Sequence, residues 1–410
     1  MEMRVTEGRG RYRSMPVVRR CWPLLSLGLL GGCNSRSLLV LAPAPGEMAL
    51  DTATVATTLF LVGDAGYASP TDRVLLEVGR QGVRAKRASA IVFLGDNVYP
   101  RGVPADTAAT FETARDRLYT QAALSGATGL PVIFVPGNHD WDRQGEAGWA
   151  SIQRQDLLLR RYADSTHQPV RLAPQAGCPG PEVLAVGPVR LVALDTPWWL
   201  HRHSRPGHAP SGMLQTMPDP TTQCSVETEA GVMSSLTKIH SFADRRITVT
   251  VGHHPLESHG EHGGHHPWLQ YLFPFVPTPV AGWAWLPIGW LYPLGRKLIG
   301  HPQDLAGKRN QAMRAAIEGT FQPGSPFIYA SGHDHSLEVI RRGTRYYLVS
   351  GAGTEDHQSA VGRGDSTAFR SPRPGFMRVD VLTTGRVRLG VTVLDLTGVP
   401  HETYSAWLKD

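Results

Sequence analysis

The sequence predicts an α/β layered fold on three observations. Short apolar, β-branched runs recur along the chain, as strands buried on both faces require. Helical stretches separate them, and strand–helix alternation is the pattern of sheets layered with helices. Each run ends in a glycine-punctuated polar cluster, and open α/β sheets bind ligands beyond the C-terminal ends of their strands.

The first 32 residues read as an export signal. "RSMPVVRR" is a basic segment, and "CWPLLSLGLL" (21–30) is an apolar stretch too short to span a membrane. It ends in "LLGGC", which resembles a bacterial lipobox and implies lipid attachment at Cys33; a plain signal peptide is the alternative. The reading is therefore an exported, periplasmic-side, membrane-anchored lipoprotein. Asn34 stands where an Asp would argue for inner-membrane retention, which leaves the outer membrane open as its destination. Residues 33–57, rich in Pro, Ala and Thr, read as a tether.

The strands follow from residue 58, and the catalytic domain is expected over 58–400. They are "TLFLVGDAG" (58–66), "AIVFLGDNVY" (90–99), "PVIFVPGNHD" (131–140), "VRLVALDTP" (189–197), "RITVTVGHHP" (246–255), "PFIYASGHDH" (326–335) and "YYLVSGAG" (346–353). Helices are expected over 71–87, 106–124, 147–162 and 304–318. "GFMRVDVL" and "RVRLGVTVLDL" alternate as antiparallel edge strands do. An apolar Pro/Trp-rich insert occupies 267–303. Its stretch 267–295 carries no charged side chain, four of the ten Trp and six Pro. It reads as a lid on its own domain or as a membrane-facing wedge, since Trp and Tyr suit the lipid–water interface.

Composition narrows the function. Hydrophobic residues at 41% and charged residues at 19% describe an ordinary globular chain. Of the net charge of +6, six Arg against two Glu in the first 32 residues supply +4, so the rest gives no electrostatic case for nucleic-acid binding. Cys178 and Cys224 remain beyond the signal, and an oxidising compartment allows them a disulfide; two buried thiols are the alternative.

The strand ends carry the chemistry. They offer Asp64, then Asp96 with Tyr99, then Asn138 with His139, then His253 or His254, then His333 with His335. Mixed carboxylate, amide, phenolate and imidazole donors suit Fe, Mn or Zn, and so many donors fit two ions rather than one.

In order and context, "GDAG", "GDNVY", "GNHD", "GHHP" and "GHDH" resemble the five-block signature of the calcineurin-like metallophosphoesterases. More narrowly the chain resembles the purple acid phosphatases, especially the small tartrate-resistant members. Most of the wider family place a His two residues after the first Asp, where this chain has Gly66. The purple branch supplies a Tyr three residues after the second Asp, where this chain has Tyr99. The resemblance implies a four-layer α-β-β-α sandwich of two mixed sheets, with the dimetal site at the strand C-terminal ends. It implies that Asp64, Asp96, Tyr99 and His335 hold one ion, and that Asp96 bridges to a second held by Asn138, His253 and His333. The ions would be Fe(III) and a divalent Fe, Zn or Mn, with a bridging hydroxide that attacks a phosphate monoester.

Two histidines compete as the acid that protonates the leaving oxygen. His139 follows Asn138, and His262 lies in an "EHG" spaced from His253 as in the small purple phosphatases. A slip in that alignment exchanges His262 for His259 or His265. His254 is read as a pocket wall, and His259, His265 and His266 as loop histidines without a catalytic role. Asp140, Asp334 and Asp195 are read as supporting residues, the first two as hydrogen-bond partners of the ligand imidazoles. A phosphodiesterase acting on lipid head groups and a non-catalytic metal-binding lipoprotein are the competing functions.

Overall fold

The computed structural model describes residues 54–208, 224–242, 246–265, 302–322 and 327–409. The signal, Cys33, the tether up to residue 53 and the insert from 267 to 301 lie outside the described residues. No helix among the described residues is long and apolar enough to cross a membrane.

In chain order the strands are β1 (Val55–Val62), β2 (Ala90–Phe93), β3 (Val132–Phe134), β4 (Val170–Leu172), β5 (Glu182–Val186), β6 (Val189–Ala193), β7 (Ile247–Val251) and β8 (Phe327–Ser331). They continue with β9 (Leu337–Arg342), β10 (Arg345–Ser350), β11 (Thr367–Ser371), β12 (Gly375–Leu382), β13 (Val387–Leu394) and β14 (Pro400–Lys409). The helices are α1 (Arg73–Gly82), α2 (Phe111–Ala122), α3 (Leu124–Thr128), α4 (Gly148–Thr166), α5 (Thr196–Leu200), α6 (Glu229–His240) and α7 (Lys308–Gly319).

The strands form two seven-stranded sheets, ordered β14-β13-β12-β1-β2-β3-β4 and β11-β9-β10-β8-β7-β6-β5. Both are mixed. β1 to β4 run parallel, as do β6, β7, β8 and β10, and the remaining pairings are antiparallel. Because side chains alternate along a strand, each sheet presents two apolar faces. Leu59, Leu61, Val92 and Ile133 of the first sheet share one core with Leu191, Val249, Val251 and Ile328 of the second. The opposite faces pack helices: Phe60, Val62, Ile91 and Phe93 belong with Val74 and Val78 of α1, Leu118 of α2 and Leu159 of α4. Tyr329 of β8 belongs with Leu236 of α6 and with Met313 and Ile317 of α7. The result is the α-β-β-α layering expected.

Several boundaries differ, each for a local reason. α1 starts at Arg73 because the Asp72 carboxylate accepts from the amides of Val74 and Leu75, a standard N-cap. β12 and β13 are antiparallel but interior: β12 pairs with β1, and β14 forms the edge. That last strand carries the first sheet past residue 400. α7 begins at Lys308 rather than at 304, because the preceding residues turn toward the site described below. Cys178 and Cys224 are joined as a disulfide, their Cα atoms 5.4 Å apart.

Candidate metal centre

Five parallel strands, β1, β2 and β3 of one sheet and β7 and β8 of the other, end at one place, and the polar residues beyond their last rungs converge there. The convergence is tight at the backbone. Asp64, Asp96 and His333 hold φ of 60°, 53° and 71°, the left-handed region that costs a non-glycine residue ~1–3 kcal/mol. The glycines before the donors are needed for close approach: a Cβ on Gly137 would lie 1.9 Å from the Asp96 amide nitrogen.

The donors form two groups with Asp96 between them. In the first, the Tyr99 hydroxyl lies 3.0 Å from Asp64 Oδ1, 3.1 Å from Asp96 Oδ2 and 3.2 Å from His335 Nε2. In the second, Asn138 Oδ1 lies 2.9 Å from both His253 Nε2 and His333 Nδ1, and these two nitrogens are 3.2 Å apart. Asp96 Oδ1 reaches this group, 3.4 Å from His253 Nε2. All seven sequence-predicted donors are therefore brought together.

The second group tests whether these residues fit a cation. His253 Nδ1–H donates to the Leu94 carbonyl at 2.9 Å, and His333 Nε2–H donates to the Gln303 carbonyl at 3.0 Å. A carbonyl only accepts, so either ring in its neutral form carries its proton on the far side. The facing nitrogens are then lone pairs, pointed at one another and at an amide oxygen. In the first group the phenolic oxygen lies among two carboxylate oxygens and an imidazole nitrogen. The second set is repulsive until a cation sits in it, and the first offers the carboxylate, phenol and imidazole donors that a cation takes, so the residues fit metal ions at both groups.

Electrostatics agree. Burial pushes the Asp64 carboxyl up to about 7, and the charge of Asp96 adds to the shift. Burial acts the same way on Asp96, and the His139 amide that donates to its Oδ1 opposes it. Burial and the two carboxylates raise the Tyr99 phenol well above its usual range. A cation would reverse this penalty and favour the anionic forms of all three.

Position 66 explains the tyrosine. A Cβ on Gly66 would lie 2.6 Å from the Asp96 carbonyl oxygen and 2.8 Å from the Tyr99 amide. The turn that carries Tyr99 occupies the space where a side chain at 66 would start.

Around the donors, His139 Nδ1–H donates to the Pro100 carbonyl at 2.7 Å, which leaves Nε2 toward the site, 3.9 Å from Asp96 Oδ2. His262 stacks on His333 with ring centres 3.9 Å apart. His254 is buried between Thr196 and Gln303, a wall rather than a donor to either group. His259 pairs with the buried Glu338. His265 lies against Gly362, and His266 is outside the described residues.

One expectation is corrected. Asp140 and Asp334 do not hold ligand imidazoles. Asp140 accepts from the amides of Asn97, Val98 and Gly137, and Asp334 from the amide of His262 and the hydroxyl of Ser258. The carboxylates fix the loops, and main-chain carbonyls fix the rings. Asp195 is structural as expected, capping α5 and accepting from Trp141 Nε1.

Four neighbours have no counterpart in the sequence reading: Gln303, Asp304, His357 and Tyr67. His357 stands 3.8 Å from the His335 ring and 5.0 Å from Tyr99, and Tyr67 stacks on Tyr99 at 4.6 Å. "GDAGY" carried the only cue to Tyr67, and "TEDHQS" gave none to His357.

A family model described as calcineurin-like phosphoesterase matches residues 58–279. The chain belongs to this family, and it is a metal-dependent phosphoester hydrolase. The fifth block, at 332–335, lies beyond the matched residues and is placed in the centre by the structure. Among solved structures, the chain is similar to GAP50, the anchor in the inner membrane complex of Plasmodium, at 15% identity over 86% of this chain and 88% of that one, with a TM-score of 0.47. It is also similar to the purple acid phosphatase PPD1 from yellow lupin (Lupinus luteus) seeds, at 13% identity and a TM-score of 0.48. That match covers 89% of this chain and 55% of the lupin chain, so this chain spans about half the length of the lupin enzyme. No curated protein matches the sequence.

Proposed function

We propose that the chain is a dinuclear phosphomonoesterase of the purple acid phosphatase type. The observation that carries the reading is the pair of donor groups that share Asp96, the second with both imidazole tautomers fixed and lone pairs inward. Tyr99 in the first group, with no room for a side chain at Gly66, favours Fe(III) there beside a divalent Fe, Zn or Mn. When bound, two such ions would lower the pKa of a bound water and offset the charge of a phosphate dianion.

The chain's own residues do the rest. Asp64, Asp96 and Tyr99 fix the charge of the centre, and Asn138 and the imidazoles fix its geometry. His139, with Nδ1 committed to Pro100, presents Nε2 at the rim, where it can hold a proton for the leaving oxygen. His262, flat against His333, is the second group placed to meet the ester. The Cys178–Cys224 disulfide supports an exported protein, since such bonds persist in oxidising compartments.

The test is metal analysis with kinetics on p-nitrophenyl phosphate and bis-p-nitrophenyl phosphate. The reading expects two ions per chain and at least ~10-fold higher kcat/KM on the monoester, about 1.4 kcal/mol. Preference for the diester replaces it with a phosphodiesterase. His139→Ala and His262→Ala should cost more on alkyl phosphates than on p-nitrophenyl phosphate, because poor leaving groups need the proton most. Equal losses assign the residue to phosphate binding instead.

A further inference from the structure

Gln303 and Asp304 lie where the chain returns to the described fold after the Pro/Trp-rich run, and together they touch three histidines of the centre. The Gln303 carbonyl accepts from His333 Nε2, and its side-chain oxygen lies 2.6 Å from His254 Nε2. Asp304 Oδ1 lies 2.9 Å from His262 Nδ1. Both residues are buried, each 5% exposed. The backbone joins the same two segments: the Leu305 amide donates to the His262 carbonyl at 3.0 Å.

We infer that Asp304 is a positioning residue for His262, and that the Gln303–Asp304 segment completes the site when it seats against the His262 loop. Contacts among the described residues restrict the His262 ring. Its amide is held by Asp334, its ring face rests on His333, and its edge meets a buried carboxylate. A carboxylate accepts only, so Asp304 places the His262 proton on Nδ1 and turns the opposite nitrogen away from itself. A buried carboxylate acceptor also resists rotation of the ring more than a neutral partner would. The inference rests on the reading that His262 meets the phosphate ester, and it adds a dependence on a residue 42 positions away.

A double-mutant cycle on the zinc-loaded full chain tests it, with binding of inorganic phosphate measured by calorimetry and metal content beside it. His262→Ala and Asp304→Ala are each expected to weaken phosphate ~10–100-fold with two ions retained, the usual range for partners behind a site residue. The double variant should bind no more weakly than His262→Ala alone, because Asp304 acts through that ring. Long-range 1H–15N spectra should show one His262 tautomer in the parent and a mixture in Asp304→Ala. Asp304→Asn, which keeps an acceptor oxygen and the side-chain shape, should recover part of the loss and serves if the alanine variant fails to fold. Additive losses, or an unchanged tautomer, overturn the positioning role while leaving the phosphoesterase reading intact. If His262→Ala itself binds phosphate normally, the role assigned to His262 falls, and this inference with it.

Discussion

Asp96→Asn is the most informative single substitution, because the proposed dinuclear centre predicts which ion it should lose. Asp96 Oδ1 accepts the His139 amide at 2.8 Å. An N–H needs an acceptor, so the carbonyl oxygen of the new amide stays at the δ1 position. Its NH2 group is forced to δ2, beside the Tyr99 hydroxyl that now lies 3.1 Å from the carboxylate. The second group keeps an oxygen next to Asn138, His253 and His333. The first group exchanges an anionic donor for two hydrogens pointing at the ion. Changes behind a metal site cost 10–100-fold in affinity, and a direct donor should cost at least the upper figure, about 2.7 kcal/mol. Turnover should fall ~1,000-fold, because charge stabilisation in the transition state is commonly worth that much. The assay is metal stoichiometry after gel filtration, with single-substrate kinetics. The expectation is about one ion per chain, retained by the second group. A variant that keeps two ions and near-native turnover would refute the sharing of Asp96.

Tyr99→Phe should abolish the visible charge-transfer band of the iron-loaded protein, and a band that survives would place the phenolate elsewhere. Replacing Cys178 and Cys224 by Ser opens a closed loop with a sequence separation of 46, worth ~4 kcal/mol by the chain-entropy model; a urea-unfolding change below ~1 kcal/mol would show the loop ordered without the bond. Burial pushes His240 down to about 4. Between that value and the unfolded ~6.5 the unfolded chain binds the extra proton, so stability rises with pH across the window. The parent Tm should therefore fall more steeply than that of His240→Gln from pH 7 to 4.5, and parallel profiles would count against it. A chain lacking residues 1–33 should still bind liposomes through the apolar run, and deleting 268–294 should end that binding while sparing a soluble ester; loss of folding instead would make the run a packed lid.

Much of this centre was readable from the sequence, because its physics is written in side chains. Strands buried on both faces need unbroken apolar runs, and donors beyond their ends need glycines where backbones meet. "GDAG", "GDNVY", "GNHD", "GHHP" and "GHDH" state both requirements at once. What was not readable uses the main chain or long separation. Leu94, Pro100 and Gln303 act through carbonyls, which every residue owns, so no residue type marks them. Asp304 reaches His262 across an insert that carries no motif. α6 escaped notice because only Val232 and Leu236 are buried on it, too few for a visible period. The helix expected from 304 starts at Lys308, and the residues before it, Gln303 and Asp304, contact the imidazoles instead.

The donors also tie the two sheets to each other. His253 extends from β7 yet is fastened to Leu94 beyond β2, and the amide of His333 beyond β8 donates to Asp64 beyond β1. The amide of Gly63 bonds to the carbonyl of Ser350 at the end of β10. The two sheets are thus stitched together along one rim of their shared core by residues of the proposed metal centre and their neighbours. Stripping the ions with a chelator should then loosen that rim first. Hydrogen exchange should quicken at residues 63–66, 94–99 and 332–335 while the opposite ends of the same strands stay protected. The centre would act as a buckle on the sandwich, and chelation would leave a protein unfastened at one rim rather than unfolded.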